Sequence, residues 1–299
     1  MKRRLRGVVF WTTLLFLLAS CTATPDTGSQ VRPVAPETPS QQAAGAPPLA
    51  VLGAVYPEVT LLRSMLTDTQ TRQIEGIEFI SGRLGAQPVV LAWTGVGKVN
   101  AAMTATLLLE HFRPERVLFT GIAGGVDPNL EPGDIVIAQQ TAYHDMGTLS
   151  SAGIDYGGVK SRLTGEPNPV FFPADPVLLA AARQTAKEMT FGALDLRTGQ
   201  RAPHVVVGTV VTGDVFVASP QKGTELAEKL GACAVEMEGA AVAQICYQRH
   251  VGCLVIRSIS DKADRSAVMD KQLFHARAAQ NSAGLVIQIL SEGLKRGTE

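Results

Sequence analysis

Short apolar runs alternate with longer segments of helical periodicity from residue 49 onward, and this alternation constrains the fold more than any other feature of the sequence. Buried strands are predicted at residues 49–54, 89–93, 117–120, 135–138, 205–211 and 253–258. Helices are predicted at residues 57–65, 98–112, 176–189, 220–230, 237–250 and 270–294, with a loop-rich stretch over 144–173. Nothing repeats at a fixed period. Residues 49–299 are therefore expected to form a single α/β domain, with a mixed, largely parallel sheet flanked by helices.

The first twenty residues have the order of an export signal. Four basic side chains lie within residues 2–6, and a mostly apolar segment follows over residues 7–18. This segment is shorter than the ~20 residues of a membrane span but suits the hydrophobic region of a signal peptide. It ends in the letters LASC at residues 18–21, which resemble the lipobox of bacterial lipoproteins. We therefore predict a signal peptide over residues 1–20 and lipidation of Cys21. An ordinary cleaved signal and a retained anchor helix are the alternatives.

Residues 21–48 are rich in Pro, Ala, Ser and Gln and show no hydrophobic period, so they are predicted to form a disordered tether. Acyl chains on Cys21 would hold the protein at a membrane surface through their buried methylene groups. Such an address implies an exported bacterial lipoprotein of the cell envelope. Thr22 after the cysteine resembles lipoproteins that are sorted to the periplasmic side of an outer membrane.

Charge and cysteine content exclude several partners. The chain has 27 basic and 27 acidic side chains, four of the basic ones lie in the predicted signal, and 5% of its residues are aromatic. This balance provides neither a basic surface nor a stacking platform, so nucleic acid is excluded as a partner. Cys233, Cys246 and Cys253 have apolar flanks and form no C-x-x-C pair. They are predicted to be small buried hydrophobic residues, and no metal site is expected.

Two glycine-rich segments and four carboxylates lie where ligands usually bind in α/β domains. Residues 95–98 connect a predicted strand to a helix, but the surrounding letters match neither a Walker loop nor a dinucleotide fingerprint. Residues 120–125 are predicted to form a glycine turn after another strand. The carboxylates follow predicted strand ends and could meet in one crevice: Glu58, Glu236, Glu238 and Asp261. Structural roles remain open, since Glu58 suits a helix N-terminus and Asp261 suits a helix cap.

Nine segments in collinear order carry a resemblance to one enzyme family. They are residues 53–54 with 58–62, 94–99, 106–111, 120–125, 132–136, 143–145, 212–216, 234–238 and 257–261. Together they resemble the nucleoside phosphorylase and nucleosidase superfamily, and most closely the methylthioadenosine/adenosylhomocysteine nucleosidases. The resemblance implies a mixed sheet flanked by helices, a homodimer whose partner helps to line the substrate pocket, and no metal or organic cofactor.

The same resemblance assigns the catalytic groups. Cleavage of an N-glycosidic bond builds positive charge on the ribosyl carbon and negative charge on the purine, so the site must protonate the base and deliver water to the sugar. Asp261 matches the acid that protonates or hydrogen-bonds the purine at N7, with Ser260 as its support. Glu58 matches the carboxylate that positions and deprotonates the attacking water.

The remaining matched residues are expected to bind the substrate. They are Glu238 at the ribose hydroxyls, Met237 on the sugar, Glu236 in the same network, Phe216 and the backbone of Val217 at the base, and Ala123 and Gly124 at the water and ribose end. The expected function is hydrolysis of a purine nucleoside, 5′-methylthioadenosine or S-adenosylhomocysteine, to adenine and the sugar.

Two alternatives to this function stay open at the level of sequence. A purine nucleoside phosphorylase would need basic groups to hold phosphate, for which Arg63 is the only early candidate. A non-catalytic nucleoside-binding lipoprotein would suit tethered export. Binding alone, however, does not require both an acid and a water-activating base.

Overall fold

A computed structural model describes residues 46–291 apart from 152, 159, 193, 197–198 and 265–266. The predicted signal peptide, Cys21 and nearly all of the tether lie outside the described residues. The strands are β1 (Leu49–Gly53), β2 (Thr67–Ile74), β3 (Ile77–Leu84), β4 (Gln87–Trp93), β5 (Arg116–Gly125), β6 (Ile135–Tyr143), β7 (Gly147–Ser150), β8 (Gly153–Tyr156), β9 (Phe171–Pro173), β10 (Leu194–Leu196), β11 (Gly199–Arg201), β12 (Val205–Thr212), β13 (Ala232–Glu236) and β14 (Gly252–Asp261). The helices are α1 (Tyr56–Met65), α2 (Lys98–Phe112), α3 (Pro176–Glu188), α4 (Pro220–Leu230), α5 (Gly239–Gln248) and α6 (Ala267–Ser291).

One mixed sheet holds the strands in the order β13-β12-β6-β14-β5-β1-β4-β3-β2, with β9 paired to β6. The centre is parallel, because β5 runs parallel to both β1 and β14, and β1 runs parallel to β4. The β2–β3 and β3–β4 pairs are antiparallel, as is β14–β6. β13 pairs with both β12 and β5, so five strands form a closed ring of pairings. The prediction of an α/β domain with a mixed sheet is confirmed.

Helices cover both faces of the central strands. Every residue of β1 is buried, as expected of a parallel strand with helices on either side. Side chains of α2 and α5 pack on one face together with Leu52, whereas α1, α3 and α6 pack on the other together with Val51. This two-sided burial explains why continuous apolar runs, rather than alternating ones, were the signal for these strands.

Two strands run further than predicted, and both extensions carry residues of the candidate site. β5 continues to Gly125, so the expectation of a glycine turn around Ala123 and Gly124 was wrong. β14 continues to Asp261 instead of ending at residue 258. The two extensions pair with each other, Ala123 with Ile259 and Gly124 with Asp261. These ladder bonds satisfy the backbone and outweigh the weak preference of glycine for strands.

The β2–β3 hairpin was not predicted, because β2 is a polar edge strand in which only Ile74 is buried. The loop-rich stretch over 144–173 likewise contains the short strands β7, β8 and β9. All three cysteines after residue 45 are free, with Cys246 and Cys253 buried as predicted and Cys233 only partly buried. Within the described part of the chain, no helix combines the length and apolar character that a membrane crossing requires.

Candidate active site

The carboxyl ends of β1, β5, β13 and β14 meet at a cleft of about 590 Å³, part of which is open to solvent. It is lined by all ten residues that the sequence assigned to catalysis or substrate binding: Glu58, Ala123, Gly124, Phe216, Val217, Glu236, Met237, Glu238, Ser260 and Asp261. Strand register places them there, since Gly124 pairs with both Val235 and Asp261. Their individual roles stay predictions.

Glu58 is buried in the first turn of α1, where backbone N–H groups surround its carboxylate. Ala54 and Val55 donate to Oε2 at 2.5 and 3.1 Å, and Ile122 donates to Oε1 at 3.1 Å. The structural alternative is therefore also true, since the carboxylate caps the start of α1. Burial raises the pKa of Glu58, against the lowering effects of Arg257 and the three backbone donors. A carboxylate with a raised pKa is suited to take a proton from water.

Arg257 is a buried arginine for which the sequence analysis proposed no role. Its Nε and Nη2 donate to Glu236 Oε2 at 3.2 and 2.7 Å, and its Nη1 donates to the Phe119 carbonyl at 3.2 Å. A Cβ placed on Gly121 would lie 3.0 Å from Arg257 Nη1 and 2.9 Å from Glu58 Oε1, so the guanidinium is near that carboxylate too. The sequence did contain a signal for this role, since Arg257 is a charged residue inside an apolar strand. Such a residue needs a buried partner of opposite charge.

Glu236 is held from several sides and supports Glu238. Besides Arg257, its carboxylate accepts the backbone N–H of Glu238 at 3.0 Å, that of Gly239 at 2.7 Å and the hydroxyl of Thr212. These bonds occupy the oxygens of Glu236. Through these bonds Glu236 fixes the backbone at Glu238, and its part in a ribose network stays a prediction.

Glu238 lies between the end of β13 and the start of α5, and its Oε1 accepts the N–H of Gly97 at 2.8 Å. Burial, reinforced by the adjacent Glu236 carboxylate, raises the pKa of Glu238 to about 8. This shift favours the protonated form of Glu238 over what an exposed glutamate would show. A neutral carboxyl group can both donate to and accept from a ribose hydroxyl.

Asp261 is buried at the end of β14, in contact with the Ser260 hydroxyl. Ser260 Oγ lies 2.7 Å from Asp261 Oδ2 and 3.3 Å from the Ala123 carbonyl oxygen. The Ala263 N–H donates to Asp261 Oδ1 at 2.9 Å and closes a short turn. Because α6 begins only at Ala267, the alternative that Asp261 caps this helix is wrong.

The Glu58 and Asp261 carboxylates approach β5 at two separate glycines. A Cβ on Gly121 would lie 2.9 Å from Glu58 Oε1, and a Cβ on Gly124 would lie 2.9 Å from Asp261 Oδ1. Because these glycines are three residues apart, the two contact points are on the order of 10 Å apart along the strand. The two acidic groups therefore enter the cleft at separate points along β5.

Basic side chains are absent from the lining of the cleft as far as the chain is described. Arg63, the only early candidate for phosphate binding, pairs instead with Glu78 at 3.2 Å. Among the same residues, no group of three His, Cys, Asp or Glu side chains is arranged to hold a metal ion. The electrostatic character of the cleft is therefore set by its carboxyl groups and by the buried guanidinium behind them.

This fold and cleft define an enzyme of the phosphorylase superfamily. The sequence model of that superfamily matches residues 48–291, and the chain belongs to it. The 5′-methylthioadenosine/S-adenosylhomocysteine nucleosidase of Mycobacterium bovis is 37% identical over 245 residues, covering 81% of this chain and 96% of that protein.

Solved structures show the same similarity. The 5′-methylthioadenosine/S-adenosylhomocysteine nucleosidase from Neisseria meningitidis, in complex with methylthio-immucillin-A, has a TM-score of 0.72 and 33% identity over 82% of this chain and 98% of that chain. Futalosine hydrolase of Helicobacter pylori has a TM-score of 0.69 and 30% identity over 82% of this chain and 97% of that chain.

Proposed function

We propose that the protein hydrolyses the N-glycosidic bond of 5′-methylthioadenosine or S-adenosylhomocysteine, releasing adenine and the thio-substituted ribose. The observation that carries this function is the placement of Glu58 and Asp261 in one cleft, at separate points along β5. The similarity to methylthioadenosine/adenosylhomocysteine nucleosidases supports the same substrates.

The residues in the cleft account for each proton in the reaction. Glu58 takes a proton from water as the water oxygen forms its bond to the anomeric carbon. The carbon–nitrogen bond breaks, its electron pair leaves with the purine, and Asp261 supplies the proton at N7. Glu238 binds the ribose hydroxyls, which holds the sugar in place while positive charge develops on it.

Water, and not phosphate, is the expected co-substrate. Phosphate binding requires Arg, Lys or several strong donors, whereas the described lining of this cleft contains four acidic residues and no basic one. The purified protein should therefore release adenine from methylthioadenosine in phosphate-free buffer and yield a reducing sugar. Adding phosphate should leave the rate unchanged.

Product analysis separates this proposal from its alternatives. A strict phosphate requirement, with a sugar 1-phosphate as product, would identify a phosphorylase. Tight binding with no cleavage would identify a nucleoside-binding lipoprotein. Futalosine belongs in the same substrate panel, because a futalosine hydrolase is among the similar structures. Preferential cleavage of futalosine would keep the hydrolytic chemistry but reassign the substrate.

We infer further that the enzyme is a homodimer whose partner covers the open side of the cleft. Apolar side chains are exposed there and along α2: Val96 is 50% exposed, Val99 78%, Met103 45%, Val215 59% and Phe216 40%. Val96, Val215 and Phe216 also line the cleft, so a partner packed on this surface would contact the substrate pocket. A monomeric native protein in sedimentation velocity at micromolar concentration would contradict this inference.

The envelope location is likewise a proposal, supported by the order of basic, apolar and small residues that ends at Cys21. The Cys21→Ser variant should lose fatty-acid labelling and leave the membrane fraction, or be retained by an uncleaved signal. Cys233→Ser is the matched control and should behave as the native protein does. Equal fatty-acid labelling of the Cys21→Ser variant and the native protein would contradict the proposal.

A further inference from the structure

Lys98, Asp145 and Asp214 form a charged cluster beside the cleft that takes no part in the chemistry described above. Lys98 Nζ lies 2.7 Å from both carboxylate oxygens of Asp145 and 3.8 Å from Asp214 Oδ2. Two backbone bonds complete the cluster. The Asp214 N–H donates to Asp145 Oδ2 at 2.9 Å, and the Lys98 N–H donates to Asp214 Oδ1 at 2.8 Å.

The cluster joins two sides of the cleft that are far apart in sequence. Asp214 directly precedes residues 215–217, which line the cleft and include Phe216 and Val217, the two residues with predicted contacts to the base. Lys98 is the first residue of α2 and follows Gly97, whose N–H binds the Glu238 carboxylate. Two successive backbone N–H groups at the start of α2 therefore bind opposite sides of the cleft. The Gly97 N–H binds Glu238, on the predicted ribose side, and the Lys98 N–H binds Asp214, on the predicted base side.

Charge makes this connection stronger than an ordinary loop contact. The Lys98 and Asp145 side chains are 21% and 22% exposed, so their pair is only partly screened by water. One oxygen of Asp145 accepts the Asp214 N–H, and both oxygens of Asp145 contact the Lys98 ammonium. Without the Lys98 ammonium, the Asp145 and Asp214 carboxylates would lose the positive charge that lies near both of them. Their mutual repulsion would then displace the segment that begins at Asp214.

We propose that Lys98 and Asp145 are positioning residues that hold residues 215–217 against the start of α2 and thereby set the affinity for the adenine part of the substrate. The inference rests on the proposed nucleosidase function. Neither side chain lines the cleft, so both act through Asp214.

The Lys98→Met variant tests this role because it keeps the aliphatic stem and removes the charge. The KM for methylthioadenosine and the inhibition constant for free adenine should each rise about tenfold or more, as expected when a charge-assisted bond is lost. The kcat should stay within about threefold, because a loss shared by the ground state and the transition state raises KM alone. Lys98→Arg should restore most of the affinity.

Arg249→Met is the matched control, because Arg249 makes a cross-element ion pair with Glu110 of α2 at 3.0 Å, at the other end of the helix. It should leave the KM and the adenine inhibition constant unchanged. Asp145→Asn provides a second test, since it removes the charge but keeps an acceptor for Asp214. If both cluster variants fold and bind adenine as the native protein does, the inference is overturned. If the native protein does not cleave the nucleoside, the proposed function fails instead.

Discussion

The Asp261→Asn variant is expected to lower kcat by at least about 100-fold, the lower end of what a positioned general acid contributes, while nucleoside affinity changes far less. Asparagine keeps the size of the side chain and can still donate a hydrogen bond to the purine. It cannot transfer a proton as the bond to the sugar breaks. The base would then leave as an anion, which is a much poorer leaving group. Single-turnover kinetics measure the rate of bond cleavage, and titration with a non-cleavable nucleoside analogue measures the affinity.

A purely structural role for Asp261 predicts a different result. Its Oδ1 accepts the Ala263 N–H at 2.9 Å, and an asparagine oxygen can accept the same bond. Because this bond is retained, the variant should melt within a few degrees of the native protein, and a purely structural role predicts a native kcat as well. Asp127→Asn is a matched control, because Asp127 closes a turn through the Asn129 N–H at 2.9 Å. A folded Asp261→Asn variant with native kcat would eliminate Asp261 as the acid.

The residues around this cleft could be predicted from the sequence because each follows or ends a recognisable apolar strand. The run before Asp261 and the run before residue 121 are continuous and buried, and in parallel sheets such strands end at the same edge. Family resemblance then gave roles to side chains whose positions alone were ambiguous. Glu58 illustrates the ambiguity, since it both lines the cleft and caps α1.

Features that depend on pairing between distant segments could not be predicted. The strand conformation of residues 121–125 depends on partners in β13 and β14, which follow more than 100 residues later. The Arg257–Glu236 ion pair depends on how the sheet places the end of β13 beside the middle of β14, which a local pattern does not specify. β2 was missed for the opposite reason, because an exposed edge strand needs no apolar residues and leaves no period in the sequence.

Glu58→Gln is expected to reduce kcat by about 100-fold or more, because glutamine cannot take a proton from the attacking water. The same carboxylate should set the acid limb of the pH profile. Burial raises the pKa of Glu58 above the ordinary 4.5, and only its ionised form accepts a proton. Activity should therefore fall as pH decreases through that raised pKa, by about tenfold per pH unit. The measurement is kcat/KM against pH for the native protein, which reports groups of the free enzyme.

Stability separates this catalytic role of Glu58 from its capping role. Glutamine also serves in a capping box, so the amide oxygen of the variant can accept the Ala54 and Val55 N–H bonds that the native Oε2 accepts at 2.5 and 3.1 Å. The amide nitrogen of the variant then faces the Ile122 N–H, which donates to Oε1 at 3.1 Å in the native protein, and the loss of this bond should lower the melting temperature by a few degrees. Glu78→Gln is the matched control, since Glu78 contacts the same helix through Arg63 and does not line the cleft. A folded Glu58→Gln variant that retains native kcat and the native acid limb would transfer the role of base to another carboxylate.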